Sequence, residues 1–255
     1  RKPIHWCTNC HTALAEAEIE YGDEVSPSIF VNFKLITIPA PFQAAGITDP
    51  AYILIWTTTP WTLPANTAVS LAPDADYVMV DVDGMHTILA YDLLDDVAKR
   101  AGWEKYDLVK DAHGDVITMK GKELAGTTYI CPIRQDLTGT VIYGSHVTLD
   151  SGSGAVHTAP GHGQDDYLVA LQFDIPMLMP VDDNGVLTDE AAQFAGLNVD
   201  EANPVIIEWL ESQGTLVAQE DIEHSYPHCW RCHKPVIFRA NDPVSYTYLR
   251  AHETL

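Results

Sequence analysis

Three groups of residues in this 255-residue chain have the types and spacing to do chemistry. The first is a set of cysteines. Cys7 and Cys10 form a C-x-x-C pair near the start, and Cys229 and Cys232 form a second near the end. A C-x-x-C turn aims two thiolates at one point, and two such turns complete a tetrahedral shell with bonds of about 2.3 Å to a metal. The 218 residues between the pairs exceed the usual ribbon spacing, so the pattern reads as a zinc ribbon with a domain inserted into it. A redox C-x-x-C or two disulfides are the alternatives; with no secretory context, paired knuckles favour zinc. Four thiolates leave no open position for water, so such a zinc is structural. His5, His11, His228 and His233 flank the knuckles and could replace a ligand; the simpler reading puts them around the metal or at the surface. Cys131, before Pro132, reads as a plain buried thiol.

The second group is the segment from Trp56 to Asn66, in which Thr57, Thr58, Thr59 and Thr62 supply four hydroxyls and Asn66 an amide. Pro60 and Pro64 restrict φ and remove two backbone donors, which makes the loop stiff. A stiff loop rich in hydroxyls can hold a polar substrate by hydrogen bonds without a charge; a threonine-rich strand end with capping hydroxyls is the plainer alternative. The third group runs from Gly152 to Tyr167. Its glycines allow close backbone approach to a ligand, His157 and His162 flank a Pro-Gly turn, and Asp165 and Asp166 open an expected helix. One of these aspartates would favour the helix N-terminus while its neighbour faces a pocket, where a carboxylate suits a ligand ammonium. The alternative is two ordinary imidazoles and a pair of N-terminal helix charges. Other chemistries fall away. Gly-x-Ser-x-Gly fails around Ser153 because position 151 is Ser151. No P-loop, no G-x-G-x-x-G after a strand and no H-E-x-x-H occurs. A metal site from His157, His162 and Asp165 is disfavoured by the irregular, glycine-rich spacing.

The elements that must position these groups read as a strand-rich α/β body. Apolar runs predict strands over 28–38, 51–57, 77–82, 86–90 and 140–148, with Asp83-Gly84 as a hairpin turn. Helical patterns cover 91–101, 164–173, 188–194 and 203–213. The balance predicts a barrel-like mixed sheet with helices packed around it. If the knuckles meet, the ends of the inserted domain emerge side by side. Residues 1–20 with 224–240 then form a zinc-knuckle stem, 21–223 the body, and 241–255 a C-terminal tail of unassigned structure. The start at Arg1 without an initiator Met, and the stop at Leu255 without punctuation, suggest a piece of something longer.

Composition bounds the function. The chain is 46% hydrophobic and 20% charged, which excludes disorder, and no apolar run approaches a membrane span of about 18 residues. Its net charge is −22, from 36 acids against 14 bases. Such a surface repels phosphates and anionic lipids, so composition taken alone argues against a nucleic-acid partner. The charge is uneven: seven of the 14 cations fall between Lys99 and Arg134, and 35–98 and 135–230 hold none. A polyanion, if one binds, is expected at that segment.

The segment Thr57–Asn66 resembles the threonine-rich signature of the editing (CP1) domain of isoleucyl-tRNA synthetase, a class I aminoacyl-tRNA synthetase, and Gly154–Tyr167 resembles that domain's second signature. The stem matches too, in His5-Trp6-Cys7 with Ala13–Glu20 and in Ser225–Arg231 followed by Phe238-Arg239-Ala240. The valyl and leucyl relatives look like Thr-Thr-Arg-Pro where this chain has Thr-Thr-Thr-Pro.

The resemblance implies a function. One methylene is worth only about 1–3 kcal/mol, so a synthetic pocket for isoleucine rejects valine poorly. A second, smaller site would hydrolyse valine misattached to isoleucine tRNA, and the isoleucyl ester would be too large to enter. By the same resemblance Thr57, Thr58, Thr59, Thr62, His157 and Asp166 are the catalytic set. Asp166 would bind the substrate ammonium, His157 would form the wall that excludes isoleucine, and the threonines would hold the aminoacyl group and terminal adenosine. Trp61, Asn66, Gly161, His162, Gly163 and Asp165 extend the substrate-binding set, with Asn66 supporting the loop. No residue is an obvious nucleophile, so a positioned water is the expected attacker. The implied partners are the 3′ end of isoleucine tRNA carrying valine and the remainder of a parent synthetase. That parent would use ATP and Mg2+ at a synthetic site whose motifs this chain lacks. The chain is expected to be a cytoplasmic monomer without membrane contact. A non-catalytic, zinc-stapled module that only positions the tRNA acceptor end is the rival reading.

Overall fold

The computed structural model describes residues 1–241; the expected tail falls, from 242 onward, outside the described residues. The chain opens with β1 (Lys2–Cys7), which turns through the first knuckle into β2 (Thr12–Leu14). It then enters the long β3 (Ile19–Lys34). Along β3 the burial changes character. Up to Pro27 the strand is exposed or half-buried, whereas Ser28–Phe33 are all buried. Only the second part, covered on both faces, reads as a continuous apolar run. This is why the sequence signals a strand from 28 although the strand begins at Ile19.

After the short α1 (Ala40–Ala44), β4 (Ala51–Thr57) pairs antiparallel with β3. A 3₁₀ turn over Pro60–Ala65 leads to β5 (Ala68–Leu71). β6 (Asp76–Val82) and β7 (Met85–Ala90) form the expected hairpin, with Asp83 and Gly84 at φ 53° and 86°. Two successive positive φ values match the right-handed twist of the flanking strands. α2 (Leu94–Ala101) ends at Gly102 in the left-handed region. The short strands β8 (Asp107–Leu108) and β9 (Thr118–Lys120) both pair with β6. Next come β10 (Thr128–Ile130), β11 (Thr138–Tyr143) and β12 (Ala155–Thr158). The helices α3 (Gln164–Phe173) and α4 (Val199–Ser212) precede β13 (Leu216–Cys229) and β14 (Ile237–Asn241). The expected helix at 188–194 is a 3₁₀ turn, Asp189–Phe194, interrupted by Ala192 at φ 55°. α4 starts four residues before the expected 203, where the Asn198 side chain accepts from the Asp200 amide.

One large mixed sheet runs in the order β10-β11-β5-β12-β4-β7-β6-β8, and β4 also pairs with β3, itself paired with β13. A single antiparallel bridge, Leu35 to Tyr129, brings the chain after β3 against β10. The sheet therefore curls from β10 round to β3 without a continuous closing ladder, giving the expected barrel-like, strand-rich α/β body. β14, β1 and β2 form a separate small sheet, and the β3/β13 ribbon runs from that end of the molecule into the body, with a register shift between Leu216 and Ala218. Among the described residues no helix is long and apolar enough to cross a membrane.

Tyr77 ties the sheet to the second loop. Its buried hydroxyl donates to the Gly154 carbonyl and accepts from the Ala72 amide at 2.9 Å. Tyr77→Phe strands both backbone groups in the interior. The expected loss is about 2–4 kcal/mol, since each unpaired buried group costs about 1–3 kcal/mol. Urea unfolding of the variant measures it, and a loss below about 0.5 kcal/mol would mean that water replaces the phenol.

Candidate active site

Parallel pairing of β12 with β4, in register at Val156 and Trp56, sends both strands out of the sheet at the same edge. Their following loops enclose a cleft of about 260 Å³. Thr57, Thr58, Thr59 and Thr62 line it on one side, and His157, His162, Gly163 and Asp166 on the other. Trp56, Val156 and Ala159 complete the lining. These three were not singled out in the sequence, although Trp56 and Val156 follow from the strand register. Hydrogen bonds within the threonine loop set its shape. The Thr59 amide donates to Thr57 Oγ1 at 3.1 Å, and Thr62 Oγ1 donates to the Thr59 carbonyl at 2.8 Å.

His157 is buried between Thr62 Oγ1 at 2.8 Å and Asn66 Nδ2 at 2.9 Å. Burial lowers its pKa to about 3, helped by the nearby His162, so the ring is neutral at pH 7. His162 is also neutral, lowered to about 4 chiefly by burial. Its Nδ1–H donates to the Phe238 carbonyl at 2.9 Å, which leaves Nε2 as a buried acceptor with no protein partner among the described residues. Asp166 sits in the first turn of α3, with Oδ2 accepting the Ala159 amide at 2.8 Å. Gly163 makes this turn-back possible, because a Cβ there would lie 2.9 Å from Asp166 Cγ. Desolvation raises the Asp166 carboxyl to about 6, against the Ala159 bond that lowers it. Among the described residues no cation pairs with it. A partly desolvated carboxylate without a countercharge has the chemistry to take a ligand cation.

Other residues expected at the site lie around it rather than in it. Asn66 is buried beneath His157. Trp61 lines an adjoining cleft, with its ring edge-on to His162 at 4.9 Å and its amide donating to Asn203 Oδ1 of α4. Asp165 is exposed on α3. Gly161 packs against the Leu178 carbonyl, 2.5 Å from where a Cβ would stand.

The two knuckles meet. The Sγ atoms of Cys7, Cys10, Cys229 and Cys232 lie within 4.8 Å of one another, and no disulfide links them. Tetrahedral bonds of about 2.3 Å require sulfurs about 3.8 Å apart, so the four thiols fit a metal such as zinc. Each second cysteine precedes a histidine in the left-handed region, His11 at φ 49° and His233 at φ 55°, so the knuckles share one turn geometry. Three of the four flanking histidines are engaged elsewhere: His228 with Glu24 and His233 with Glu20, each at 2.9 Å, and His5 near Glu16.

The cation-rich segment is largely neutralised within the molecule. Arg100 pairs with Asp96 and Glu220, Lys120 with Asp76, Lys122 with Asp74, and Arg134 with Asp136.

No family model matches the chain. Among solved structures it is similar to GlLeuRS-CP1, with a TM-score of 0.60 at 14% identity, covering 76% of this chain and 99% of that one. The fold is thus that of a CP1 domain of the aminoacyl-tRNA synthetases. In sequence it is 46% identical over 241 residues to the isoleucine–tRNA ligase of Moorella thermoacetica, and 50% identical over 242 residues to that of Nitratidesulfovibrio vulgaris. Each alignment covers 94% of this chain and 25% of the relative, so the chain spans about a quarter of the length of the curated relatives it matches. The chain is thus homologous to a quarter-length portion of the isoleucine–tRNA ligases and has a CP1-type fold.

The Asp166 environment predicts a pH signature. A carboxyl raised from 3.8 to about 6 binds its proton more tightly when folded, so its contribution to stability is lost as pH rises from about 4 through 6. Asp166→Asn removes that loss. The unfolding free energy of the variant relative to the unchanged protein should therefore increase between pH 4 and 7, by on the order of 2–3 kcal/mol. Urea titrations across that range measure it, and a pH-independent difference would show that the carboxylate is well solvated.

Proposed function

We propose that this chain is the editing portion of an isoleucine–tRNA ligase, hydrolysing valine misattached to isoleucine tRNA and excluding the isoleucyl ester by size. The observation that carries this reading is Asp166, a half-buried carboxylate without a countercharge among the described residues, in one small cleft with four threonines and two neutral imidazoles. An aminoacyl ester brings what that cleft lacks: an ammonium for Asp166 and hydroxyl-rich adenosine for the threonines. His157, held by Asn66 and Thr62, is a fixed apolar-faced wall rather than a base, because both its ring nitrogens are engaged.

The chemistry is attack of water on the ester carbonyl. The C–O bond to the ribose breaks, releasing valine and a free terminal hydroxyl on the tRNA. Loop hydroxyls and backbone amides would stabilise charge on the carbonyl oxygen. Cys7, Cys10, Cys229 and Cys232 would hold a zinc ion that supplies structure and no catalytic step. Residues 1–20 with 224–240 serve as the stem and 21–223 as the editing body. The whole ligase would join isoleucine to its tRNA with ATP and Mg2+ at a site outside this chain, in the cytoplasm.

Incubation with valyl and isoleucyl esters of isoleucine tRNA at low ionic strength tests the reading. Valyl ester should be lost on the order of 100-fold faster than isoleucyl ester. Asp166→Ala should slow it about 10- to 100-fold, the range for a hydrogen bond to a charged group. His157→Ala should bring the isoleucyl rate toward the valyl rate. Valyl ester lost no faster than the uncatalysed rate, even at high protein concentration, would leave the positioning module in its place. Metal analysis of freshly purified, reduced protein should find about one zinc per chain. Cys229→Ser should lose it and unfold at lower urea; metal-free protein of unchanged stability would refute the knuckle site.

A further inference from the structure

The wall of the cleft rests on a hydrogen-bond chain that begins at a residue far from both loops. Asn66 Nδ2 lies 2.9 Å from the Ala68 carbonyl and 2.9 Å from His157 Nδ1. A carbonyl can only accept, so this amide atom is the nitrogen, and its second proton goes to His157 Nδ1. Nδ1 is therefore bare, and the neutral ring carries its proton on Nε2. That proton is donated to Thr62 Oγ1 at 2.8 Å, and Thr62 passes its own to the Thr59 carbonyl at 2.8 Å. At the other end, Asn66 Oδ1 accepts from the Tyr129 hydroxyl at 2.7 Å. The chain runs one way, from Tyr129 through Asn66, His157 and Thr62 to Thr59, and Tyr129, Asn66, His157 and Thr62 are all buried.

We infer that Tyr129 is a positioning residue for the size-selecting wall: by anchoring Asn66 it holds His157 in one place and in its Nε2–H form. Its consequence for substrate choice rests on the editing reading above; the proton arrangement does not. A second observation points the same way. Tyr129 of β10 stands opposite Gly139 of β11, and a Cβ at Gly139 would lie 2.2 Å from Tyr129 Cζ and 2.3 Å from its hydroxyl oxygen. The φ of Gly139 is not in the left-handed region, so no turn requires the glycine there. A glycine within a strand weakens it and marks close approach. Here it leaves room for the phenol to lie across β11 and reach Asn66.

Two variants and two readouts test this. Long-range 1H–15N correlation spectra of the protein labelled in histidine report the protonated ring nitrogen of His157 without any substrate. The unchanged protein should show the Nε2–H form alone. Tyr129→Phe keeps the ring and removes the donor; its His157 signals should move to exchange between the two neutral forms. The isoleucyl ester should then be cleaved about 5-fold faster relative to the valyl ester, the factor for one neutral hydrogen bond of about 1 kcal/mol. Asn66→Asp cannot donate to Nδ1, so His157 should switch to the Nδ1–H form. A Tyr129→Phe protein that stays folded, with the Nε2–H signal and the valyl-to-isoleucyl ratio unchanged, would overturn the inference, as would Asn66→Asp with no switch. If the unchanged protein cleaves neither ester, the editing reading fails while the spectra still decide the proton arrangement.

Discussion

Parallel neighbours in a sheet end at the same edge, and in this molecule that geometry joins β4 to β12 through the pairing of Trp56 with Val156. The loops that leave those strands are separated by about 90 residues of sequence, yet they face one another across one cleft. The rest of the body serves that juxtaposition. β3 and β7 flank β4, β5 flanks β12, and Tyr77 ties the backbone at Gly154 to the end of β5. Ligand clefts in sheets with parallel pairs recur at the carboxyl ends of strands for this reason.

Within the cleft the decisive physics is desolvation. Burial keeps both imidazoles neutral and pushes the Asp166 proton affinity up, so the one group that carries charge at pH 7 is a carboxylate held at a cost. The protein offers hydroxyls, amides and lone pairs elsewhere. That balance suits a ligand that is neutral apart from an ammonium, and on the proposed editing reading it would reconcile an acidic surface with a tRNA partner, because only the aminoacylated terminal nucleoside would enter. Most of the arginine and lysine between Lys99 and Arg134 is bound to neighbouring carboxylates. On the same proposed reading, grip on phosphates would fall to other parts of a ligase, since this chain matches about a quarter of its relatives' length.

Legibility in the sequence followed burial and locality. The hairpin at Asp83-Gly84 and the helix over 164–173 depend on neighbours in the chain, and both stand where the pattern put them. The first half of β3 and nearly all of β13 form a half-exposed ribbon of mixed polar residues, and neither period-two alternation nor an apolar run marks them. The 3₁₀ turn at Asp189–Phe194 reads as a helix because three or four apolar residues cannot distinguish the two. At the cleft the threonines, the histidines and the Asp165–Asp166 pair stood out through their types and spacing, and the family resemblance pointed to Asp166. Tyr129 did not, since a tyrosine in a short strand looks like any core aromatic until its hydroxyl is seen to reach Asn66.

The sequence by itself determined the chemical inventory: two thiol pairs, a stiff hydroxyl-bearing loop, a glycine-rich loop with imidazoles and carboxylates, and a strand-rich body to carry them. It also carried the family likeness, because signatures are strings. Only the tertiary structure decided how Asp166 is held, half-buried with its carboxylate on the Ala159 amide, and which nitrogen of His157 bears the proton. Those outcomes depend on solvent exclusion and on donors brought in from distant strands, and neither is a property of neighbouring residues in the chain.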